Sequence, residues 1–258
     1  MAESKLKIDI RRAAILEELL RNGSVQTDDL AKQFSATHVT IRNDLAALER
    51  EGHLIRTRGG AILISPQAPS SVARDEDILN ANEKRRIASA VASLVKNGSS
   101  LLINAGTTTQ FIAEALTGHQ NLNIVTNSLP VAMKLGAVPT FHVIMLGGRI
   151  NAQYGFTFGT DVKEQLGRYH ADISIMSIDG MSAECGVSTH LAEEAIIDRM
   201  MLEHSTQHVI AADHTKVGRV GFTNIQRNLA SFTLVTDNTA DKTTCERLEN
   251  CGVNIILC

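Results

Sequence analysis

From Glu83 onward the chain repeats one pattern: a short run of branched apolar residues, a polar loop, then a stretch with helical spacing. Seven such runs occupy residues 100–104, 121–126, 141–146, 172–178, 208–212, 232–236 and 253–257. Strands separated by helices of about ten residues cannot be joined by tight hairpins. Each connection must cross over, which sets neighbouring strands parallel. The pattern predicts an α/β domain over 83–258 with a mostly parallel sheet. Aromatic residues make up only 3% of the chain and Trp is absent. The core therefore falls to Leu, Ile, Val, Ala and Met, which suits buried parallel strands. Such sheets bind ligands at the carboxyl ends of their strands, so functional side chains are expected in the loops after the runs.

Residues 1–63 follow another rule and read as a small α+β module. A first helix is expected over 8–21, with Ile15, Leu16, Leu19 and Leu20 as its apolar stripe and Asn22-Gly23 as its end. Ser24-Val25-Gln26 reads as extended. Thr27 is placed to cap a second helix with Asp28 and Asp29 in its first turn, and Leu30 and Phe34 form its buried face. After a tight turn at Ser35-Ala36, Thr37 caps a third helix reaching Glu51-Gly52. Ile41, Leu45 and Leu48 share one face of that helix; His38, Val39, Arg42 and Asn43 lie on the other near its start. That is the build of a helix that enters the major groove, with donors and acceptors for base edges. Arg42 suits guanine or phosphate, Asn43 adenine, and Thr40 phosphate. Two short β runs around Gly59-Gly60 make a hairpin wing in which Arg56 and Arg58 share a face suited to the DNA backbone or minor groove. Gln26 and Thr27 complete the candidate DNA contacts. Residues 64–82, with Pro66, Pro69 and mixed charge, read as a linker.

Charge adds little. Residues 1–63 hold 10 basic and 9 acidic side chains within a chain of net charge −3, so the DNA reading rests on pattern. Cys185, Cys245, Cys251 and Cys258 form no Cys-x-x-Cys pair and are expected as reduced thiols. The charged, polar N-terminus gives no signal-peptide pattern. No apolar run reaches the roughly 18–20 residues of a membrane span, so a cytoplasmic protein is expected.

The loops after the runs converge on anion and hydroxyl chemistry. Gly106-Thr107-Thr108-Thr109 opens a helix and offers free N–H groups, hydroxyls and the positive dipole end to an anion. The same stretch is also what a simple capped turn looks like. Thr126-Asn127-Ser128, Gly148-Arg149, Asp179-Gly180, Ser188-Thr189 and Lys216 follow later runs. Lys216 and Arg149 are candidate anion partners, and Asp179 and Asn127 candidate hydroxyl partners. His190 and His214 read as rim histidines rather than metal ligands. Tyr154, Phe156 and Phe158 lie in a glycine-containing loop that suits a lid, an edge strand or an oligomer contact.

Thr37-x-x-Thr40-Ile41-Arg42-x-Asp44-Leu45, then Leu48-Glu49, then Arg58-Gly59-Gly60-Ala61, with Arg11 and Ile15 upstream, resembles the DeoR family of bacterial sugar-metabolism regulators. The order Gly-Thr-Thr, Thr-Asn-Ser, Gly-Gly, Asp-Gly, Gly-Val-Ser-Thr, Asp-x-x-Lys extends the resemblance over residues 8–258. It implies a winged helix-turn-helix followed by a sensor domain with a fold like ribose-phosphate isomerase and coenzyme A transferases. It also implies double-stranded operator DNA and a phosphorylated sugar or polyol as partners, with no cofactor, metal or membrane. Repression by a homo-oligomer, dimer or tetramer, is the implied scheme, without catalysis. Gly106–Thr109 with Lys216 becomes the implied phosphate site. The family usually carries Asp where this chain has Asn104, which alters that corner of the pocket. Glu193 and Glu194 open a helix expected over 191–203. They read either as surface carboxylates favoured by the dipole or as a source of one pocket carboxylate, with Glu193 the candidate.

Overall fold

The computed structural model describes residues 11–12, 14–16, 18–19, 24–50, 54–57, 59–63 and 80–258. The chain divides into two units, 1–67 and 68–258.

In the first unit the described residues between 11 and 19 are helical (α1). They are followed by β1 (Ser24–Gln26), α2 (Thr27–Gln33), α3 (His38–Arg50), β2 (Leu54–Arg56) and β3 (Gly60–Leu63). Thr37 accepts from the Thr40 N–H at 3.1 Å and so caps α3, as its position predicts. The cap of α2 differs from expectation: Thr27 is the first helical residue and is buried, while Gln26 holds the cap position without a side-chain bond. Ile15, Leu19, Leu30, Ile41, Leu45, Leu48 and Leu54 form one core. The extended piece β1 joins the wing, giving an antiparallel order β1-β3-β2 with Gln26 opposite Gly60. A Cβ at position 60 would fall 1.8 Å from the Val25 carbonyl oxygen, so only glycine lets β1 approach. Leu20, Asn22, Gly23, Glu51, Gly52, Arg58 and 64–79 of the expected linker lie outside the described residues.

One charged residue sits inside this core. Asp44 is 2% exposed, and its two oxygens take Arg11 Nε at 2.6 Å and Arg12 Nε at 3.1 Å. A buried carboxylate without such partners would cost more than its helix position returns.

The second unit carries the expected parallel sheet. Its strands are β4 (Ser100–Ile103), β5 (Asn123–Thr126), β6 (His142–Met145), β9 (Ala171–Met176), β12 (Ser205–Ala211), β14 (Phe232–Thr236) and β15 (Asn254–Leu257). They lie in the order β15-β14-β12-β9-β4-β5-β6, with every neighbouring pair parallel. All seven apolar runs thus become neighbours in one sheet. The chain enters at β4 in mid-sheet, runs outward to β6, and returns on the other side of β4 as β9. The switch point therefore lies between the carboxyl ends of β4 and β9.

Leu101, Ile103, Ile124 and Ile175 pack on one side with Ile87 and Val91 of α4 (Ala81–Leu94), Ile112 and Leu116 of α5 (Thr107–Leu116), and Val131 of α6 (Leu129–Gly136). Leu102 and Val125 face the other side with Val162 and Leu166 of α7 (Thr160–Leu166) and Ile197 and Met201 of α8 (Ala192–Glu203). Helix α9 (Lys242–Asn250) adds Leu248 beside Leu234. Beyond the expected strands, β7 (Arg149–Asn151) and β8 (Phe156–Phe158) pair as an antiparallel ribbon. β10 (Gly180–Ser182), β11 (Gly186–Thr189) and β13 (Thr223–Gln226) form a small antiparallel sheet. Among the described residues no helix is long and apolar enough to cross a membrane.

Replacing Asp44 with Asn removes the charge that holds both arginines. It should destabilise the first unit by about 1–3 kcal/mol. Hydrogen exchange on the full chain should show faster exchange of the α2 and α3 amides and unchanged protection in β4 and β9. Equal protection in both units would refute a structural role for the clamp.

Candidate functional site

The exposed side of α3 carries His38, Val39, Arg42 and Asn43, all open to solvent, while Ile41, Leu45 and Leu48 are buried behind them. Val39 is 66% exposed, an apolar branched group presented to water in the first turn. A thymine methyl is the base feature it matches. His38 Nε2 lies 3.2 Å from Asp28 Oδ1 on the preceding helix. In the wing, Arg56 Nε meets Glu49 Oε2 at 2.6 Å and its backbone N–H donates to Glu49 Oε1 at 2.9 Å. These contacts hold Glu49 below its ordinary value against partial burial that would raise it.

At the switch point of the second unit, Asn104 is fully buried just past β4. Its Nδ2 donates to the Ser177 carbonyl at 2.9 Å and to Asp198 Oδ1 at 3.1 Å, and its Oδ1 accepts from Ser177 N–H at 2.9 Å. Next along the chain, Gly106 packs so closely on Ser177 that a Cβ there would stand 2.6 Å from the serine Cβ. Helix α5 begins immediately after, with Thr107 exposed and Thr108 and Thr109 buried; Thr109 Oγ1 donates to the Gly106 carbonyl at 2.8 Å.

Two residues beyond Ser177, Asp179 meets Lys216 Nζ at 3.3 Å through Oδ1. Its Oδ2 accepts from His190 N–H at 2.9 Å and lies 3.0 Å from Thr189 Oγ1. The same Thr189 hydroxyl lies 2.5 Å from Glu194 Oε2. Burial and the neighbouring Asp179 raise Glu194 to about 7, although Thr189 and Lys216 act the other way. Asp198, one turn further along α8 and fully buried, is held well above the usual carboxylate range by burial, with Glu194 and Asp179 adding to the rise. Asp179 itself is lowered: burial opposes this, but Lys216 and the Thr189 and His190 bonds prevail. Tyr154, in the turn of the β7–β8 ribbon, feels the same carboxylates, which add to burial in raising its phenol.

The DeoR-like helix-turn-helix domain family matches residues 11–67, and the DeoR C terminal sensor domain family matches 79–238. The chain belongs to the DeoR family. A putative aga operon transcriptional repressor of Escherichia coli O157:H7 is 32% identical over 96% of this chain and 93% of its own length. The glycerol-3-phosphate regulon repressor of Escherichia coli K12 is 33% identical over 87% of each. Among solved structures, ribose 5 phosphate isomerase A from Neisseria gonorrhoeae superposes over 52% of each chain at TM-score 0.39 and 18% identity. This DeoR-family protein is a DNA-binding transcriptional regulator with a sensor domain, and its relatives are repressors, not enzymes.

In this DeoR-family chain, the structure redistributes the expected sensor residues. Asn104, expected at the pocket, spends its side-chain amide in joining β4, β9 and α8. Glu193 is exposed, and its neighbour Glu194 stands in the cluster instead, because the helix turns position 193 outward. The Arg149 guanidinium lies over the Phe158 ring at 5.1 Å, on the ribbon. Thr126 Oγ1 accepts from the Ser128 N–H, and Ser128 Oγ caps α6 by accepting from Val131. Asn127 Nδ2 donates to the Thr157 carbonyl, while its buried Oδ1 has no partner among the described residues. Gly148 and Gly180 allow close packing on the Phe158 and Arg219 carbonyls. Ser188 Oγ, buried, donates to the Gly180 carbonyl and accepts from Gly221 N–H. On the DNA side, Thr27 is buried and Gln26 exposed. Arg56 is tied to Glu49, and Arg58 lies outside the described residues.

Asp198 is absent from the sequence reading, and Glu194 enters it only as the alternative to Glu193. The signal was present: Glu194, Ile197, Asp198 and Met201 share one helical face, and a carboxylate on an otherwise apolar stripe needs a reason.

Because Glu194 and Asp198 hold protons that the unfolded chain releases, these two groups favour the native state at low pH, against the lowered carboxyls of Asp179, Asp213 and Asp237, which favour it at higher pH. Stability contributed by Glu194 should fall as pH rises from 4.5 through about 7. His208, lowered by burial, works in the opposite sense below 6.5. The comparison is therefore wild type against Glu194→Gln in urea melts at a series of pH values. The variant should gain stability relative to wild type as pH rises through that window. A constant difference across it would show that Glu194 titrates normally.

Proposed function

We propose that this regulator represses carbohydrate-metabolism genes in the bacterial cytoplasm and is released from its operator by a phosphorylated sugar or polyol. Residues 1–63 read DNA, 83–258 bind the effector, and 64–82 connect them. A homo-oligomer, dimer or tetramer, pairs recognition helices on repeated or inverted half-sites. The effector biases two arrangements of the protein by binding one of them better. The reading is supported by the glycerol-3-phosphate and aga repressors among its relatives. The observation that carries it is the meeting of opposite chemistries at the switch point. The Gly106–Thr109 turn opens helix α5 with free N–H groups toward an anion, and Asp179 with Lys216 stands past the adjacent strand.

Arg42→Ala should weaken operator binding at least about tenfold, in line with ~1–3 kcal/mol per good base contact. Mobility shifts on the chain's own upstream DNA would measure it, and wild-type affinity would remove Arg42 from the interface.

A thermal-shift screen of sugar phosphates, polyol phosphates and their unphosphorylated parents tests the sensor. A native-state ligand must raise the melting temperature by mass action. Stabilisation by a phosphorylated compound, absent with its parent and lost in Lys216→Ala, is expected. Equal shifts from the parents would remove the phosphate site.

A further inference from the structure

The switch-point cluster is short of positive charge. Three carboxyl groups, Asp179, Glu194 and Asp198, act on one another, and among the described residues the Lys216 ammonium acts on the first two. His190 also faces Asp179, and Tyr154 closes the group from the ribbon side. Asp198 Oδ1 takes the Asn104 amide, but Oδ2, on a side chain only 1% exposed, has no partner among the described residues. Carrying the proton that burial favours, that oxygen calls for an acceptor; ionised, it calls for a donor, and an ammonium set beside it favours the ionised form.

Hydrogen-bond geometry shows how the free protein manages the deficit. Thr189 has one hydroxyl proton, yet its Oγ1 is 3.0 Å from an Asp179 oxygen and 2.5 Å from a Glu194 oxygen. It can donate to only one of them. The other contact needs a proton on the carboxyl itself, so Glu194–OH donates to Thr189, and Thr189 donates to Asp179. The extra proton substitutes for a missing cation.

Resting on the effector reading above, we infer that the ligand of this site is zwitterionic: a phosphorylated sugar or polyol whose other end carries an ammonium group set against Asp179, Glu194 and Asp198. The two ends of the site are neighbours. Gly106, at the anion cradle, packs on Ser177, and Ser177 is bonded to the Asn104 amide that holds Asp198. On binding, the ammonium takes over the role of the Glu194 proton, which leaves to solvent. A hydroxyl in the same place would satisfy Asp198 Oδ2 but would leave the charge deficit as it was.

The probes are glucosamine 6-phosphate, galactosamine 6-phosphate and mannosamine 6-phosphate, each against its 2-hydroxy parent and its N-acetyl derivative. Titration calorimetry on the full-length protein reads affinity, and repetition in buffers of different ionisation heat reads the proton count. At least one amine should bind about tenfold tighter than its parent, the difference between charge-assisted and neutral hydrogen bonding. It should release protons near pH 7, where Glu194 titrates. N-acetylation should cancel the gain. Asp198→Asn and Glu194→Gln should each narrow the ratio of amine to hydroxyl affinity, and two variants guard against misfolding of either one. If a hydroxy parent binds as tightly as its amine, and Lys216→Ala abolishes both, the sugar-phosphate reading stands and the ammonium inference falls. If none of the nine binds while another phosphorylated sugar or polyol stabilises the protein in the thermal-shift screen, the ammonium inference falls alone; if no phosphorylated compound binds in either experiment, both fall.

Discussion

The sensor unit depends on what the Asn104 side chain does between β4 and β9. Parallel strands on the two sides of a switch point diverge at their carboxyl ends, because each turns toward a helix on a different face. The amide of Asn104 bridges that divergence, with Nδ2 on the Ser177 carbonyl, Oδ1 on the Ser177 N–H and a further bond to Asp198 of α8. A side chain offering both donor and acceptor is required there. An aspartate would set an oxygen 2.9 Å from the Ser177 carbonyl and 3.1 Å from a second carboxyl, so one of the acids would have to remain protonated. Asn104 brings no charge of its own to the corner, so Asp198 is the one ionisable group in that bonded set.

The DNA-reading unit is organised by the same device at smaller scale. Asp44 lies on the buried side of α3, and the two arginines it holds come from α1. The ion pair fixes the direction in which α3 leaves the core, and so which side chains reach outward. Arg42 is two residues away and faces solvent. A recognition helix has to be rigid in orientation and open in chemistry, and the contrast between positions 42 and 44 supplies both.

Much of this was legible in the residues. The seven apolar runs became the seven strands of the sheet because buried parallel strands need continuous branched aliphatics, which stand out against helical spacing. The buried face of α3 followed from positions 41, 45 and 48 for the same reason. The short strands β7, β8, β10, β11 and β13 were hidden: segments such as Gly180–Ser182 have no apolar periodicity, and partners distant in the chain hold them. Loop chemistry was read by residue type, which finds where polar groups gather but not which way they point. Glu193 and Glu194 differ by a rotation of about 100° about the helix axis, enough to put one in water and the other beside Thr189. Ser128 and Ser188, read as ligand groups by residue type, each accept a backbone N–H, because hydroxyls near strand ends serve backbone groups as readily as they serve ligands.

The Arg56–Glu49 pair joins the first strand of the wing to the last turns of α3. Glu49 takes both the guanidinium and the backbone N–H of Arg56, so the strand can neither slide nor pivot against the helix without breaking two bonds. On the reading proposed above, wing and helix meet DNA as a single body. The distance along the duplex between the groove that receives α3 and the backbone that receives the wing is set before the two molecules touch. Little ordering of this region is left for the moment of contact, and a site with the right bases at the wrong spacing is refused by geometry alone.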